Sequence, residues 1–253
     1  MGKVIAIANQ KGGVGKTTTA VNLGACLAVA GRSVLIIDMD PQSNATSGLG
    51  YSDVDVSEST YPIIIDESDI EERIKATGVD DLFVVPASRD LTGAEVELVS
   101  VIGREFKLKQ AIEKIRDRYD FILVDCPPSL GLLTINSLVA ADSVLIPIQC
   151  EYYALEGIVS LMRTIDLIKR NLNRDLKLEG ILLTMYDSRT NLSQQVVDEV
   201  KRYFGVKVYE TIIPRNVRLS EAPSFGKPII MYDILSKGAE AYLNLAEEVM
   251  YGG

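Results

Sequence analysis

Short runs of aliphatic and β-branched residues recur along the chain and read as strands: Val4–Ala8, Ser33–Asp38, Leu82–Pro86, Phe121–Asp125, Ser143–Gln149, Leu178–Met185 and Val206–Ile213. Between them, apolar positions recur at helical spacing over Thr17–Ala30, Gly93–Tyr119, Leu132–Ala140, Leu155–Asn171, Ser193–Phe204 and Ser236–Met250. The strands are apolar throughout rather than alternating, which means burial on both faces. The pattern predicts an α/β fold, a mostly parallel twisted sheet with helices on both faces. Repeats, low-complexity tracts and Pro/Gly-rich linkers are absent from the sequence, so one domain is expected over 1–253. Ligands of such sheets bind beyond the carboxyl ends of the strands, and the residues with chemical character cluster there.

The first strand runs into Asn9-Gln-Lys-Gly-Gly-Val-Gly-Lys-Thr-Thr18, and a helix pattern follows at once. The close of this run, Gly15-Lys16-Thr17, is that of a P-loop, and strand–loop–helix is the context such a loop needs. The usual spacing calls for glycine at position 10, where Gln10 stands, and Lys11, Gly12, Gly13 and Val14 follow. Backbone N–H groups of residues 12 to 17 can cradle phosphates at the positive end of the helix. Lys16 would reach the β- and γ-phosphates of the nucleotide, and the Thr17 hydroxyl would ligate Mg²⁺. Lys11 has two readings. It is a solvated loop lysine, or, because Gly12 and Gly13 clear that surface of side chains, a charged finger to a nucleotide on a second chain.

The second strand ends Ile36-Ile37-Asp38-Met39-Asp40-Pro41. Its period of two puts Asp38 and Asp40 on one side, and Pro41 stops the strand. With the P-loop alongside, Asp40 is placed to orient an attacking water and Asp38 to hold Mg²⁺ through water. Phe121–Asp125 is four apolar residues closed by an acid, the Walker B pattern, which gives Asp125 a metal-bound water to bind. Pro127 and Pro128 then stiffen a switch that senses the γ-phosphate. Cys126 reads as a packing thiol. Two stretches after buried strands, Thr184–Asn191 and Ile213–Arg218, fall on the binding edge, where they contact the base or a partner. Arg189 and Arg218 are equally readable as plain surface arginines.

Composition narrows the chemistry. Histidine is missing from all 253 residues, so acid–base work falls to carboxylates, lysine or water, and His-ligated metals are excluded. The three cysteines, Cys26, Cys126 and Cys150, are odd in number and far apart, as reduced thiols of a cytoplasmic protein are. No apolar run approaches the roughly 20 residues of a membrane span, and the chain enters its first strand with no signal peptide. The net charge of −9 is unevenly spread: residues 53–81 hold ten acidic side chains against two basic, while 163–218 hold eleven basic against seven acidic. A basic face for nucleic acid can therefore coexist with an acidic whole.

Three motifs together, Lys-Gly-Gly-Val-Gly-Lys-Thr-Thr18, Ile-Asp-Met-Asp-Pro-Gln42 and Val-Asp-Cys-Pro-Pro-Ser129, resemble those of the deviant Walker A ATPases. The segments 149–157 and 213–223 narrow the resemblance to the chromosomal ParA/Soj group, over residues 1 to about 250. The resemblance implies a P-loop NTPase fold, ATP and Mg²⁺ as cofactors, and a slow ATPase that forms an ATP-dependent sandwich homodimer. Lys11 would then reach the partner's nucleotide, Gly12 would sit at the dimer seam, and Lys16 and Asp40 would serve hydrolysis. The run Lys11–Thr18 would bind the nucleotide, with Thr17, Asp38 and Asp125 at the metal. Met185, Pro214, Arg215 and Asn216 would surround the adenine. Arg189 and Arg218 match positions that bind double-stranded DNA without sequence preference.

The implied partners are a ParB-type centromere-binding protein that stimulates hydrolysis and, for Soj-like members, the initiator DnaA; the implied location is the nucleoid, with no membrane. A MinD-like positioning ATPase would need a basic amphipathic C-terminal helix, whereas Leu245–Gly253 is acidic and short. A redox relative of the nitrogenase iron protein would need cluster cysteines, and Cys126 and Cys150 lie in the wrong segments. A metabolic P-loop enzyme of the same fold is disfavoured by the 213–223 segment. Two departures from the family pattern stand out, Ser43 where glycine is usual and the segment Ser57–Ile65. Both are expected away from the phosphate contacts.

Overall fold

A computed structural model describes residues 2–151 and 154–251, with the side chains of 154–157 also outside the description. Eight strands form one sheet: β1 Lys3–Ile7, β2 Val34–Asp38, β3 Lys75–Ala76, β4 Leu82–Val85, β5 Phe121–Asp125, β6 Ser143–Gln149, β7 Lys177–Tyr186 and β8 Val208–Pro214. Their order is β3-β4-β2-β5-β1-β6-β7-β8, and every pairing is parallel except β3 with β4. The helices are α1 Lys16–Val29, α2 Asn44–Gly48, α3 Thr60–Ile65, α4 Leu91–Glu97, α5 Lys107–Glu113, α6 Leu132–Ala140, α7 Ala154–Asn171, α8 Asn191–Phe204, α9 Val217–Glu221, α10 Ile229–Tyr232 and α11 Lys237–Tyr251.

The alternation of a strand sends successive side chains to opposite faces, and both faces are covered. Val4 and Ala6 of β1 join a core with Ile122 and Val124 of β5 and with α4 to α8. Ile5 and Ile7 face the other way, onto Leu23 and Leu27 of α1 and Tyr242 and Leu245 of α11. This is the doubly covered sheet that the uniform apolar runs imply. Register then aligns the strand ends. Ile7 of β1 and Asp38 of β2 both stand opposite Asp125 of β5, so three chain segments leave the sheet side by side.

One expected element differs. The stretch Gly93–Tyr119 is not one helix but α4, a 3-10 turn at Leu98–Ser100, a break, and then α5 between two further 3-10 turns. Val101 is extended and Gly103 has φ +69°, a left-handed backbone that no helix interior holds. Leu91, Ala94 and Leu98 before the break and Leu108, Ala111 and Ile112 after it enter the same core, so the apolar period continues through a chain that is not continuous helix. Val206 lies in a 3-10 turn before β8 rather than in the strand.

Ser43 and the 57–65 segment, the two departures from the family pattern, lie against the ends of β2 and β4. Ser43 has φ +53° and ψ +34°, the conformation glycine adopts most easily, and its N–H bonds the carbonyl of Asp40 at 2.9 Å. In the second segment, Ile63 and Ile64 are core residues. The Thr60 hydroxyl there donates to the Asp38 carbonyl at 3.0 Å, and its N–H donates to Pro86 at 2.8 Å. Thus α3 is pinned to the ends of β2 and β4. The acidic surface around it is partly neutralised by ion pairs of Glu58 with Lys75, Glu67 with Lys107 and Glu71 with Arg118.

Candidate nucleotide site

The turn between β1 and α1 is possible because Gly13 and Gly15 have φ +74° and +91°, where a Cβ would be strained. Two side chains brace it. Asn9 donates through Nδ2 to the Pro147 carbonyl of β6 at 2.8 Å and accepts the Lys11 N–H at 3.0 Å. The Thr184 hydroxyl on β7 donates to the Val14 carbonyl at 2.8 Å. Lys16 opens α1 but curls back over the loop, its Nζ donating to the Lys11 carbonyl at 3.0 Å, and only 6% of the residue is exposed. Burial lowers its pKa, while the nearby Asp125, Cys126 and Asp40 pull in the opposite direction. A cation held in a glycine-rich loop at a helix N-terminus is a phosphate-binding arrangement.

Three carboxylates stand before this loop. Asp38 is fully buried and nearly saturated: Oδ1 accepts the Asp40 N–H at 3.1 Å, and Oδ2 accepts the Thr46 N–H at 2.9 Å and its hydroxyl at 2.6 Å. Burial pushes its pKa up to about 6 against these donors, with the Asp40 charge adding to the rise. Asp40 is buried as well, and its Oδ1 accepts the Gln42 N–H at 2.9 Å. Asp125 is the exception. Both its oxygens are buried without a hydrogen-bond partner, and burial, then the Asp38 charge, raises its pKa well above the usual range. The Thr17 hydroxyl is near enough to offset part of that rise, without completing a bond of ordinary geometry.

An isolated buried carboxylate is costly unless a cation meets it. Asp125, with Thr17 beside it, therefore fits a hard, oxygen-loving cation such as Mg²⁺. Asp38 keeps one uncommitted lone pair, on Oδ1, so it suits contact through water rather than direct ligation. Cys126 is buried and its thiol is pushed up to about 12 by burial, which suits packing rather than reactivity.

A cavity of about 340 Å³ opens beside the loop, lined by Gly15, Thr18, Met185, Pro214, Arg215 and Asn216 among others. The chain reaches it from two strands. Met185 sits near the end of β7 with φ +53°, and the Arg215 N–H bonds the Tyr186 carbonyl at 2.9 Å, which ties the end of β8 to β7. The residues expected around a base are thus brought together with the first turn of α1.

Lys11 lies outside this pocket. Its ammonium is 3.6 Å from Glu151 Oε2. Among the described residues a Cβ at Gly12 would meet only Pro128, at 4.0 Å, so their packing does not demand glycine there. Arg189 is 83% exposed and gripped by Asp187, through Nε to Oδ1 at 2.8 Å and Nη2 to Oδ2 at 2.7 Å. Arg218 pairs with Glu221 at 2.9 Å and with Asp233 at 3.3 Å. Asn9, Glu151 and Thr184 lie in stretches the sequence singles out but without a role given to them, and Thr46 and Thr60 brace the site with no sequence signal of their own.

The fold and loop define a P-loop nucleotide-binding protein. Residues 2–178 match the family described as an AAA domain. The chain is 62% identical over 253 residues to the sporulation initiation inhibitor protein Soj of Bacillus subtilis, with 100% of both chains covered. It is 60% identical over 250 residues to the chromosome partitioning protein ParA of Myxococcus xanthus, covering 99% of this chain and 88% of that one. A solved structure named cobyrinic acid a,c-diamide synthase from Mycobacterium smegmatis, with bound ADP and magnesium, matches with a TM-score of 0.87 at 38% identity, over 99% of this chain and 94% of that one. The chain belongs to the ParA/Soj family of chromosome-partitioning ATPases. Tyr152 and Tyr153, within one of the segments that carry the resemblance, lie outside the described residues.

Proposed function

We propose that this protein is a single-domain, ATP-dependent dimeric switch that binds double-stranded DNA without sequence preference and hydrolyses ATP slowly, stimulated by a ParB-type partner, to drive chromosome segregation on the nucleoid. The observation that carries the ATP chemistry is the orphaned carboxylate of Asp125 facing Lys16 and Thr17. Thr17 and Asp125 would hold Mg²⁺, with Asp38 acting through water, and the bound ion would supply charge neutralisation for the β- and γ-phosphates. Lys16 and the N–H groups of residues 12 to 17 bind and orient the phosphates. Asp40, fixed by Gln42 and by the Asp38–Thr46 bonds behind it, orients the attacking water. Met185, Pro214, Arg215 and Asn216 hold the adenine.

Gly12 is exposed and the Lys11 side chain half-exposed, which supports a role for Lys11 toward a nucleotide on a second subunit. Arg189 and Arg218 supply DNA contacts, doubled in the dimer, so that ATP and DNA binding are coupled through one association step. An action on DnaA is a further expectation from the family. A membrane-bound, MinD-like reading is less supported, since the solved MinD of Pyrococcus furiosus matches at 28% identity and the partitioning proteins at 62% and 60%. Among the described residues no helix is long and apolar enough to cross a membrane, and α11 spends its apolar face, including Tyr242, Leu245 and Val249, on the core. A metabolic amidating role is less supported, since the synthase-named match is at 38% identity and the partitioning proteins are at 62% and 60%.

Sedimentation with ATP, with ADP and without nucleotide tests the switch. The dimer is expected with ATP only, and a Lys16→Ala variant is expected to stay monomeric. A dimer that forms equally in all three states would remove the reading.

A further inference from the structure

Lys11 is anchored at its backbone and loose at its tip. Its N–H is held by Asn9 and its carbonyl by Lys16, so the main chain stays put while the side chain pivots on a flexible four-carbon stem. The tip is not free in this chain. It sits 3.6 Å from Glu151, the two side chains being 42% and 47% exposed, a separation that makes an ion pair without a hydrogen bond. Glu151 is itself fixed. Its N–H bonds the Gln149 carbonyl at 2.8 Å, its Oε1 accepts from the Gln149 amide, and the preceding Cys150 N–H is tied to Thr184 of β7 at 3.0 Å. A rigid carboxylate therefore faces a mobile ammonium across the P-loop.

We propose that Glu151 is a positioning residue that parks the Lys11 ammonium on its own subunit, so that dimer formation must first release it and the concentration at which ATP drives dimerisation is set by this pair. The proposal rests on the reading above that Lys11 serves the partner's nucleotide. In the monomer the carboxylate competes with solvent anions for the half-exposed ammonium. In the dimer a triphosphate carries more negative charge than one carboxylate and wins the competition. The pair is exposed and long, so its hold is modest, roughly threefold per lysine. Both lysines are released in a symmetric dimer, which makes roughly tenfold in the dimer dissociation constant.

Glu151→Gln tests this with two measurements, because it keeps the size of the side chain and an oxygen acceptor while removing the charge. Acylation of Lys11 by an N-hydroxysuccinimide ester in nucleotide-free protein, read by peptide mass spectrometry, is expected to quicken about threefold relative to the exposed Lys207, and Glu151→Asp should stay near wild type. Sedimentation with ATP is expected to give a dimer about ten times tighter than wild type, with the gap closing in molar salt. Unchanged Lys11 acylation, or an unchanged or weaker dimer beside a dimerising wild type, overturns the proposal alone. A wild type that stays monomeric at every ATP concentration removes the functional reading, and the proposal with it.

Discussion

Asp38 and Asp125 are register partners at the ends of β2 and β5, both fully buried, yet Asp38 accepts three hydrogen bonds and Asp125 completes none of ordinary geometry. Thr46 and the Asp40 N–H account for the first, whereas among the described residues Lys16 and Thr17 offset the burial of the second only in part. A site that leaves one of two adjacent carboxylates uncompensated is built for a cation that arrives with its ligand.

That asymmetry has a pH signature. Burial raises the folded pKa of Asp38 to about 6, and that of Asp125 well above the ordinary 3.8. Both groups hold protons more tightly folded than unfolded, so their contribution to stability is present below about pH 4 and is lost as pH rises through the folded values. Asp125→Asn should therefore raise the neutral-pH stability of the nucleotide-free protein, by about 1 kcal/mol or more, and flatten its decline above pH 4. It should also abolish stabilisation by Mg²⁺ and ATP. Thermal melts from pH 4 to 8 check this, and a less stable apo variant at pH 7 would count against it.

Thr46 joins three segments, donating its hydroxyl to Asp38 and accepting the Ala87 N–H at 2.9 Å. Thr46→Val leaves a buried amide unpaired and loosens the chain around Asp40. Denaturant titration should show a loss of about 1–3 kcal/mol, and turnover should fall more than ATP affinity does. Equal losses in both would make Thr46 a general scaffold residue.

Asp40→Ala should bind ATP, dimerise and bind DNA while turnover falls by about 100-fold or more. Single-turnover phosphate release reads this directly, and near-normal hydrolysis would take the water-orienting role from Asp40.

Asp187 grips Arg189 with two bonds, and that pairing holds its carboxyl well below the usual range, so the grip persists across the working pH. Arg189→Glu should dimerise with ATP but lose DNA. Asp187→Asn should bind DNA a few times more tightly, because the guanidinium no longer has to leave a carboxylate. Fluorescence anisotropy with a random-sequence duplex checks both, and DNA binding that ignores both changes would return Arg189 to an ordinary surface role.

Much of this was legible in the chain. Burial on both faces forces β1, β2 and β5 to be apolar throughout, so the acids that close β2 and β5, Asp38 and Asp125, stand out. Lys75–Ala76 carries no such mark, being a two-residue edge strand with one side exposed. The helix boundary at Gly103 was hidden because the core accepts apolar residues at helical spacing from either side of the break. The braces of the site were hidden for a different reason. Thr60 meets Asp38 from 22 residues away and Thr184 meets Val14 from 170 away, contacts that only the folded sheet creates. The same holds for Glu151 beside Lys11.

The central claim is that nucleotide state controls DNA binding through the dimer. The most direct measurement is the affinity of the wild-type protein for a non-specific duplex with ATP, with ADP and without nucleotide, at two salt concentrations. Tight binding with ATP only, weakening steeply with salt because the contacts are to phosphates, is the predicted result. Equal affinity in all three nucleotide states would contradict it.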